Sequence, residues 1–307
     1  MENHIRGIFL DLGGTFRIVE NNVPYKTAAR RRIAQLVGAN LEPEALQGLY
    51  GICHLAALSN DTLGQIDPEL TYEINYRASV RLARMAREAG VSRFLYSSSC
   101  SLYGKAGDDA LTEEAEFSPQ TAYARSKVLT EQEIHPLASS GFCVTSLRNA
   151  TAYGVSPKLR VDLVVNNLVG WALTTGTIRI MSDGTPWRPL VHAEDIARAF
   201  VALLDADASV INGQAFNIGQ NSENYRVREI ATLVGEAVPG CRVEITGEHG
   251  DDSRSYRVNF DKVARLVPGF QPRWTLREGI ADLVEAYRRW GMDQEHFEGR
   301  YFIRLKQ

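Results

Sequence analysis

The sequence has few cysteines, and no two of them are close enough to form a metal-binding pair. Cys53, Cys100, Cys143 and Cys241 are widely spaced among 307 residues, and no Cys-x-x-Cys motif occurs. Zinc sites and disulfide frameworks depend on closer, patterned spacing, so neither is expected. We therefore expect reduced thiols, a cytoplasmic location and no bound metal.

Basic residues and long apolar runs are also scarce. The chain has 34 Lys and Arg against 37 Asp and Glu, a formal net charge of −3, so it has no basic excess to neutralise nucleic-acid phosphates. No apolar run approaches the roughly 20 residues that cross a bilayer, and the first residues lack the pattern of a secretory signal. Neither a nucleic acid nor a membrane is expected as a partner.

Strand-length apolar runs alternate with helical stretches over the first half of the chain. Runs at 8–10, 49–56, 94–97 and 143–147 predict buried strands, and helices are predicted over 68–89 and 123–137. This alternation predicts an α/β fold, a doubly wound parallel sheet with helices on both faces. The first helix carries apolar residues at three- and four-residue steps, which predict its buried face: Leu70, Ile74, Ala78, Leu82 and Met85.

After Gly154 the pattern becomes mixed, with helices predicted over 162–174, 193–204, 227–238 and 276–290. Short strands are predicted at 178–180, 215–219 and 242–245. We expect a larger α/β domain formed by 1–156 and about 191–220. A smaller lobe would be formed by about 157–190 and 221–307, with a cleft between the two.

A tyrosine and a lysine mark the start of the helix at 123–137. Tyr123 and Lys127 are four residues apart, so they share one helix face. A nearby cation favours the phenolate form of a tyrosine, which can then take a proton from a hydroxyl group while hydride leaves the same carbon. The preceding strand runs out into Ser97-Ser98-Ser99, at the sheet edge where α/β proteins bind ligands.

These two motifs together resemble the Ser-Tyr-Lys triad of the extended short-chain dehydrogenase/reductase family, which includes nucleotide-sugar epimerases and dehydratases. The resemblance covers about 46–289 and implies a Rossmann-like dinucleotide-binding domain, with the substrate bound by the smaller C-terminal lobe. It also implies NAD as cofactor, with NADP as the alternative, a nucleotide-diphosphate sugar as substrate, and a homodimer. The implied catalytic residues are Ser99, Tyr123 and Lys127.

Other stretches match the family's cofactor and substrate positions. Residues 51–57 resemble the strand that passes along the dinucleotide, and 147–154 resemble the strand end beside nicotinamide and substrate. The cofactor-binding residues so implied are Gly13, Gly14, Asn40, His54, Ala56, Ala57, Asn75, Ser97, Tyr123 and Lys127. The substrate-binding residues so implied are Ser99, Asn149, Asn167, Arg188 and Arg254, the two arginines and Asn167 facing a diphosphate. The histidines His54 and His192 are expected in backbone hydrogen bonds at strand ends, without an acid–base role.

The N-terminus departs from this family. Its members begin with a strand followed by G-x-x-G-x-x-G, whereas here only the pair Gly13-Gly14 follows the first strand. The stretch before His54 is also short for the usual second and third strands. Two alternatives follow: the sheet is shortened at its N-terminal strands with its dinucleotide site kept, or cofactor binding is weakened or lost. The sequence leaves both open.

The residues after Ser99 bear on the reaction. Family 4,6-dehydratases carry an Asp-Glu pair there, whereas this chain has Cys100 and Ser101, which argues against a dehydratase. NAD-dependent epimerisation of a nucleotide sugar through a keto-sugar is favoured. A ketoreductase, or a non-catalytic member that has lost its cofactor, remains as the alternative.

Overall fold

A computed structural model of the chain describes residues 46–59, 65–156, 159–248 and 254–299. Its strands, in chain order, are β1 (Gly51–His54), β2 (Arg93–Ser99), β3 (Lys105–Leu111), β4 (Cys143–Asn149), β5 (Thr151–Tyr153), β6 (Thr177–Ile180), β7 (Trp187–His192), β8 (Gln214–Ile218), β9 (Asn224–Arg226), β10 (Arg242–Ile245) and β11 (Ser255–Val258). Its α-helices are α1 (Pro68–Tyr72), α2 (Ala78–Glu88), α3 (Ala122–Ile134), α4 (Val164–Thr175), α5 (Ala193–Asp205), α6 (Ala208–Ile211), α7 (Val227–Ala237), α8 (Asp261–Leu266), α9 (Leu276–Arg289) and α10 (Gln294–Glu298).

The central sheet of the described residues has the strand order β1-β2-β4-β8, with every neighbouring pair parallel. Parallel neighbours need crossover connections, and here helices supply them. The carboxyl ends of all four strands therefore meet at one edge of the sheet. The predicted α/β class with a parallel sheet is confirmed, as are the strands expected near 49–56, 94–97, 143–147 and 215–219.

The two faces of this sheet are covered by different apolar clusters. Side chains alternate along a strand, so Leu95 of β2 packs in one cluster while Phe94 and Tyr96 pack in the other. A third cluster joins α4, α7 and α9. Tyr256 and Phe260 come from the range assigned to the smaller lobe, yet they pack with Leu95 on the sheet. The boundaries of the two lobes stay a prediction.

Small secondary sheets complete the described fold. The strand β7 pairs with β5 in parallel and with β9 antiparallel. The strands β10 and β6 pair with each other, as do β11 and β3. The strands expected at 178–180 and 242–245 are confirmed, as are the helices expected at 162–174, 193–204, 227–238 and 276–290, within a residue or two at most ends.

The helix predicted over 68–89 is present, but it is not uniform and its buried face differs from the prediction. A π turn, Glu73–Arg77, joins α1 to α2. Leu70 is 48% exposed, whereas its neighbour Thr71 is fully buried, and Asn75 and Ser79 continue the buried stripe at four-residue steps. The predicted stripe was thus wrong by one residue before Leu82, because polar residues with hydrogen-bond partners form the inner face here.

Helix α3 begins and ends at residues that explain its limits. The Oγ1 atom of Thr121 accepts a hydrogen bond from the backbone N–H of Ala124 at 3.1 Å, which caps the first turn. At the other end the chain tightens into a 3₁₀ turn, His135–Leu137, at Pro136, because proline has no N–H to continue the α-helical ladder. This start places Tyr123 and Lys127 in the first two turns, beside the carboxyl end of β2.

Candidate active site

Lys127 lies buried at the carboxyl end of the central sheet. Its side chain is 2% exposed, and its Nζ atom donates a hydrogen bond to the carbonyl oxygen of Ser97 at 2.6 Å. The same atom lies 4.7 Å from the ring centroid of Tyr96 and 5.5 Å from that of Tyr123. Burial lowers the pKa of Lys127 to about 7, against a smaller opposite effect from Glu131. The ammonium is thus close to its titration point near neutrality.

Tyr123 and Lys127 share a helix face as their spacing predicts. Tyr123 is half-buried, and its ring lies within reach of the positive charge on Nζ. The two groups do not point apart, so the geometry permits the cation to stabilise the phenolate form of Tyr123.

Three polar residues line the adjacent strand ends. The Nδ2 atom of Asn149 donates to the Oγ atom of Ser97 at 3.0 Å, and Asn149 pairs with Ser99 in the register of β2 and β4. The Oγ atom of Ser99 accepts a hydrogen bond from the N–H of Ser101 at 3.2 Å and caps the following 3₁₀ turn. The Oδ1 atom of Asn149 is buried and has no hydrogen-bond partner within the described residues. Ser97, Ser99, Asn149 and Lys127 are therefore brought together.

The loop after β1 is held by Asn75 from the π turn. The Oδ1 atom of Asn75 accepts from the N–H of Leu58 at 2.7 Å, and its Nδ2 atom donates to the carbonyl oxygen of Leu58 at 3.2 Å. Asn75 is 1% exposed, and Ala56 and Ala57 are buried in the loop that it supports. Asn75 thus fixes the backbone of the loop after β1. We call this loop the proposed cofactor loop, because the family resemblance places Ala56 and Ala57 beside the dinucleotide.

The side chain of His54 forms a hydrogen bond with helix α2, which packs beside β1. Its Nε2 atom lies 2.7 Å from the Oγ atom of Ser79, which in turn donates its proton to the carbonyl oxygen of Asn75. Nε2 must therefore carry the proton, and burial lowers the pKa of His54 to about 3. The prediction that the His54 side chain bonds to the backbone is wrong, because its Nε2 atom donates to the hydroxyl oxygen of Ser79 instead. His192 does accept a backbone N–H, from Glu194 at 3.2 Å.

A buried ion pair behind the site was not predicted from the sequence. The two oxygens of Glu131 accept from the Nε atom of Arg148 at 3.2 and 3.1 Å, and one also accepts from Nη2 at 2.7 Å. The Nη1 atom of Arg148 donates to the hydroxyl oxygen of Tyr103 at 3.0 Å, and that hydroxyl donates to Oδ1 of Asn217 at 2.7 Å. The sequence feature that could have pointed to this pair is the position of Glu131, four residues after Lys127 on the same helix face.

The two arginines expected to bind a diphosphate are in contact through the side chain of Arg188 and the backbone of Arg254. The Nη1 atom of Arg188 donates to the carbonyl oxygen of Trp187 at 2.8 Å and also to that of Arg254. The guanidinium carbons of Arg226 and Arg257 each lie 4.9 Å from the ring centroid of Trp187. The sequence analysis did not predict these two further cations, which come from the neighbouring strands β9 and β11.

Asn167 lies in the first turn of α4. Its Nδ2 atom donates to the carbonyl oxygen of Val161 at 3.0 Å, so it pins the segment before the helix. Arg160 of that segment donates to the carbonyl oxygen of Ser59 at 2.8 Å and thereby ties it to the loop after β1. The segment that Asn167 holds, just before α4, is thus joined directly to the proposed cofactor loop.

The remaining predicted cofactor residues, Gly13, Gly14 and Asn40, lie outside the described residues. All four cysteines are free. In the ranges that the structure covers, no group of three His, Cys, Asp or Glu side chains could hold a metal ion. No helix in these ranges combines the length and the apolar character needed to cross a membrane.

Comparison with known proteins identifies a family and several relatives of this chain. The model of the NAD dependent epimerase/dehydratase family matches residues 26–219. UDP-glucose 4-epimerase of Mycolicibacterium smegmatis is 31% identical over 261 residues, which cover 83% of this chain and 80% of that protein. dTDP-D-glucose 4,6-dehydratase of Mus musculus is 26% identical over 247 residues, covering 78% and 67%. The solved structure of MoeE5 in complex with UDP-glucose and NAD is 27% identical, with a TM-score of 0.72 and coverage of 83% and 85%.

Proposed function

The chain belongs to the NAD dependent epimerase/dehydratase family, and from that premise we propose that it epimerises a nucleotide sugar with NAD as a recycled cofactor. The observation that carries the proposal is the buried ammonium of Lys127, 5.5 Å from the ring centroid of Tyr123 at the carboxyl edge of the sheet. The 4-epimerase of Mycolicibacterium smegmatis, at 31% identity, supports C4 of the sugar as the reacting carbon.

The residues at this edge fit the nicotinamide half of NAD. An ammonium has three N–H donors, and Lys127 directs one of them at Ser97, so others are suited to ribose hydroxyls. The buried Oδ1 atom of Asn149 can accept a hydrogen bond from an amide group. Ala56 and Ala57 would lie along the dinucleotide. Bound NAD supplies the acceptor and the donor of a hydride.

The chain's own residues handle the proton. Tyr123, as the phenolate, takes the proton of the sugar hydroxyl while the C–H bond at the same carbon breaks, which leaves a keto-sugar. Ser99 donates a hydrogen bond to the reacting oxygen. Once the keto-sugar has rotated to present its other face, the C–H bond would re-form on that face while Tyr123 returns the proton to the oxygen. The hydroxyl then has the opposite configuration, with no net oxidation.

Dehydration is disfavoured by the two residues that follow Ser99. Cys100 is fully buried, its Sγ atom donates to the carbonyl oxygen of Arg148 at 3.1 Å, and burial raises the pKa of its thiol far above the usual range. Ser101 carries no carboxylate either. Elimination of water from the sugar requires an acid and a base, and neither residue can supply one near neutrality.

The substrate is proposed to be a nucleoside-diphosphate sugar. The guanidinium of Arg188 contacts the main-chain carbonyl oxygen of Arg254, so the two residues are neighbours, and guanidinium groups match the oxygens of a diphosphate in a bidentate manner. Asn167 lies in the segment that Arg160 ties to the cofactor loop. A solved relative that binds UDP-glucose together with NAD is 27% identical to this chain and supports the same substrate class.

The test is conversion of UDP-glucose, UDP-galactose and dTDP-glucose by purified protein, with its cofactor content measured after denaturation. Tyr123→Phe is expected to lower kcat by roughly 100- to 10,000-fold, the range for loss of a general acid–base. Tyr50→Phe, at the opposite end of β1, is the matched control. A Tyr123→Phe variant as fast as the parent would overturn the proposal.

Two other outcomes would identify the alternatives. Steady consumption of NADPH with a keto-sugar nucleotide would assign a ketoreductase. Absence of both bound NAD and measurable NAD affinity would assign a non-catalytic protein; the family match begins at residue 26, after Gly13 and Gly14.

A homodimer is also proposed, formed through the helices beside α3. Ile66 and Leu70 are 69% and 48% exposed, and Ile74 continues the same stripe half-buried. Such a stripe beside α3 would suit a four-helix contact with a second copy. Light scattering should give twice the chain mass, and Leu70→Asp should return the monomer. A monomeric parent at micromolar concentration would contradict this.

A further inference from the structure

Lys127 faces few charged groups. Among the described residues, the titratable side chains packed around it are His54 from β1, Tyr96 from β2, and Tyr123 and Glu131 from its own helix. Burial holds the pKa of His54 at about 3 and raises that of Tyr96, so both are neutral near pH 7. Glu131 is the carboxylate in this set.

The position of Glu131 is tightly determined. It lies one helical turn after Lys127 and is 3% exposed, and Arg148 donates hydrogen bonds to both of its oxygens. Arg148 is itself fixed by Tyr103, by the carbonyl oxygen of Glu113 at 2.9 Å, and by the ring of Phe117 at 4.8 Å. A surface carboxylate could swing away from Lys127, but this one cannot.

A buried ammonium tends to lose its proton, because burial disfavours charge. The phenolate of Tyr123, however, needs a cation beside it. The opposing charge closest along the same helix face is the carboxylate at i+4, which is where Glu131 lies. We propose that Glu131, clamped by Arg148, is a positioning residue that keeps Lys127 in its ammonium form opposite Tyr123. The catalytic consequence rests on the proposed function, whereas the charge state of Lys127 does not.

The test follows the titration of Lys127 directly. The chain has six lysines, so protein labelled with ¹³C at lysine Cε gives a simple NMR spectrum, and Lys127→Met identifies the Lys127 signal. Glu131→Gln keeps the shape of the side chain and an acceptor for Arg148 but removes the charge. The Lys127 midpoint is expected to fall by about one pH unit or more, the usual effect of losing a nearby opposite charge.

The matched control is Glu133→Gln. Glu133 is on the same helix, two residues away, but it is half exposed and pairs with Arg84; its replacement should leave the Lys127 signal unchanged. An unchanged Lys127 midpoint in Glu131→Gln would overturn the proposal.

A second variant covers a Glu131→Gln protein that does not fold. Replacing both partners of a buried ion pair is far better tolerated than replacing one, so Glu131→Gln with Arg148→Met is examined in the same way. Loss of the Arg148 charge alone would raise the Lys127 midpoint. The double variant is therefore compared with Arg148→Met alone: a lower Lys127 midpoint in the double variant assigns the effect to Glu131, and an equal midpoint overturns the proposal.

The activity profile separates this inference from the proposed function. If both hold, the alkaline limb of kcat/KM moves to lower pH in Glu131→Gln by the same interval as the Lys127 signal. If the NMR midpoint moves and the profile does not, Glu131 still supports the Lys127 charge, and the role of the Tyr123–Lys127 pair in the reaction is refuted.

Discussion

Two buried cations, one at the strand ends and one in the core behind them, are treated in opposite ways. Arg148 is enclosed with a carboxylate: burial acts to lower the pKa of the Arg148 guanidinium, but the hydrogen bonds and charge of Glu131 hold that pKa above its usual value. Lys127 is equally buried, but it lies on a carbonyl oxygen and two aromatic rings, and its pKa falls to about 7. The core cation is permanently charged, whereas the strand-end cation is poised to titrate.

The comparison teaches that burial alone does not determine what a charged residue does. A direct carboxylate partner turns a cation into a structural tie, because breaking the pair leaves a buried charge. A neutral acceptor leaves the cation available to another group, at a cost in stability. The variants below test this difference, beginning with the largest expected effect.

Arg148→Met should destabilise the protein by about 3–5 kcal/mol, because it leaves Glu131 buried without its counter-charge. The free energy of unfolding in urea, followed by circular dichroism, measures this. Lys127→Met is the matched control: it removes a buried charge that has no direct carboxylate partner, so its unfolding free energy at pH 6 should equal or exceed that of the parent. Equal losses in both variants would end the distinction between the two cations.

His54 extends the comparison to a second buried base. Its pKa is about 3 in the folded protein and lies near 6.5 when unfolded, so the unfolded chain binds a proton that the native state refuses. The stability from His54 is therefore complete above pH 6.5 and is lost as the pH falls towards 3, at about 1.4 kcal/mol per pH unit. Urea unfolding at pH 6, 5 and 4 should show this slope in the parent. His54→Gln should reduce the slope, while replacement of the exposed His296 should not.

Asn75→Ala should cost about 1–3 kcal/mol, because it removes two hydrogen bonds that hold Leu58. The same variant should weaken NAD binding by calorimetry, since the loop that carries Ala56 and Ala57 loses its support. Thr71→Ala, on the same helix face and hydrogen-bonded to the carbonyl oxygen of Asp67, is the control and should leave NAD affinity intact. An Asn75 variant with parental NAD affinity would separate this loop from the cofactor.

The smallest effect is expected at the start of α3. Thr121→Ala removes the cap on Ala124 and should cost about 1 kcal/mol, whereas Thr121→Ser keeps the hydroxyl and should cost far less. Unfolding measurements on the two variants give the difference. If both behave alike, the Oγ1 atom of Thr121 does not fix the helix that carries Tyr123 and Lys127.

Local patterns predicted most of the fold. The apolar runs that became β1, β2, β4 and β8 are buried on both faces, which is why they read as continuous. The strand β3, by contrast, has the sequence Lys-Ala-Gly-Asp-Asp-Ala-Leu and no strand pattern; its pairing with β11, more than a hundred residues later, forms it. Pairing between such distant segments leaves no local signature.

The part of the site that depends on the spacing of residues along one helix was predictable from the sequence. The four-residue step from Tyr123 to Lys127 sets a common helix face, and the structure shows it. The Arg148–Glu131 pair was missed because its members lie on different elements, 17 residues apart. The stripe of Thr71, Asn75 and Ser79 was missed because hydrophobic periodicity overlooks buried polar residues that have hydrogen-bond partners.

The π turn of Glu73–Arg77 determines which changes in chain length this helix can accept. A π turn holds one residue more than the α-helical turn that it replaces, so deleting one residue there would close it to α-helical geometry and leave the following residues on their present faces. Leu82, Ala83 and Ala86 would then stay in the core. The loss of one residue is therefore tolerated at this turn, whereas the same deletion within α2 would rotate everything after it by about 100°.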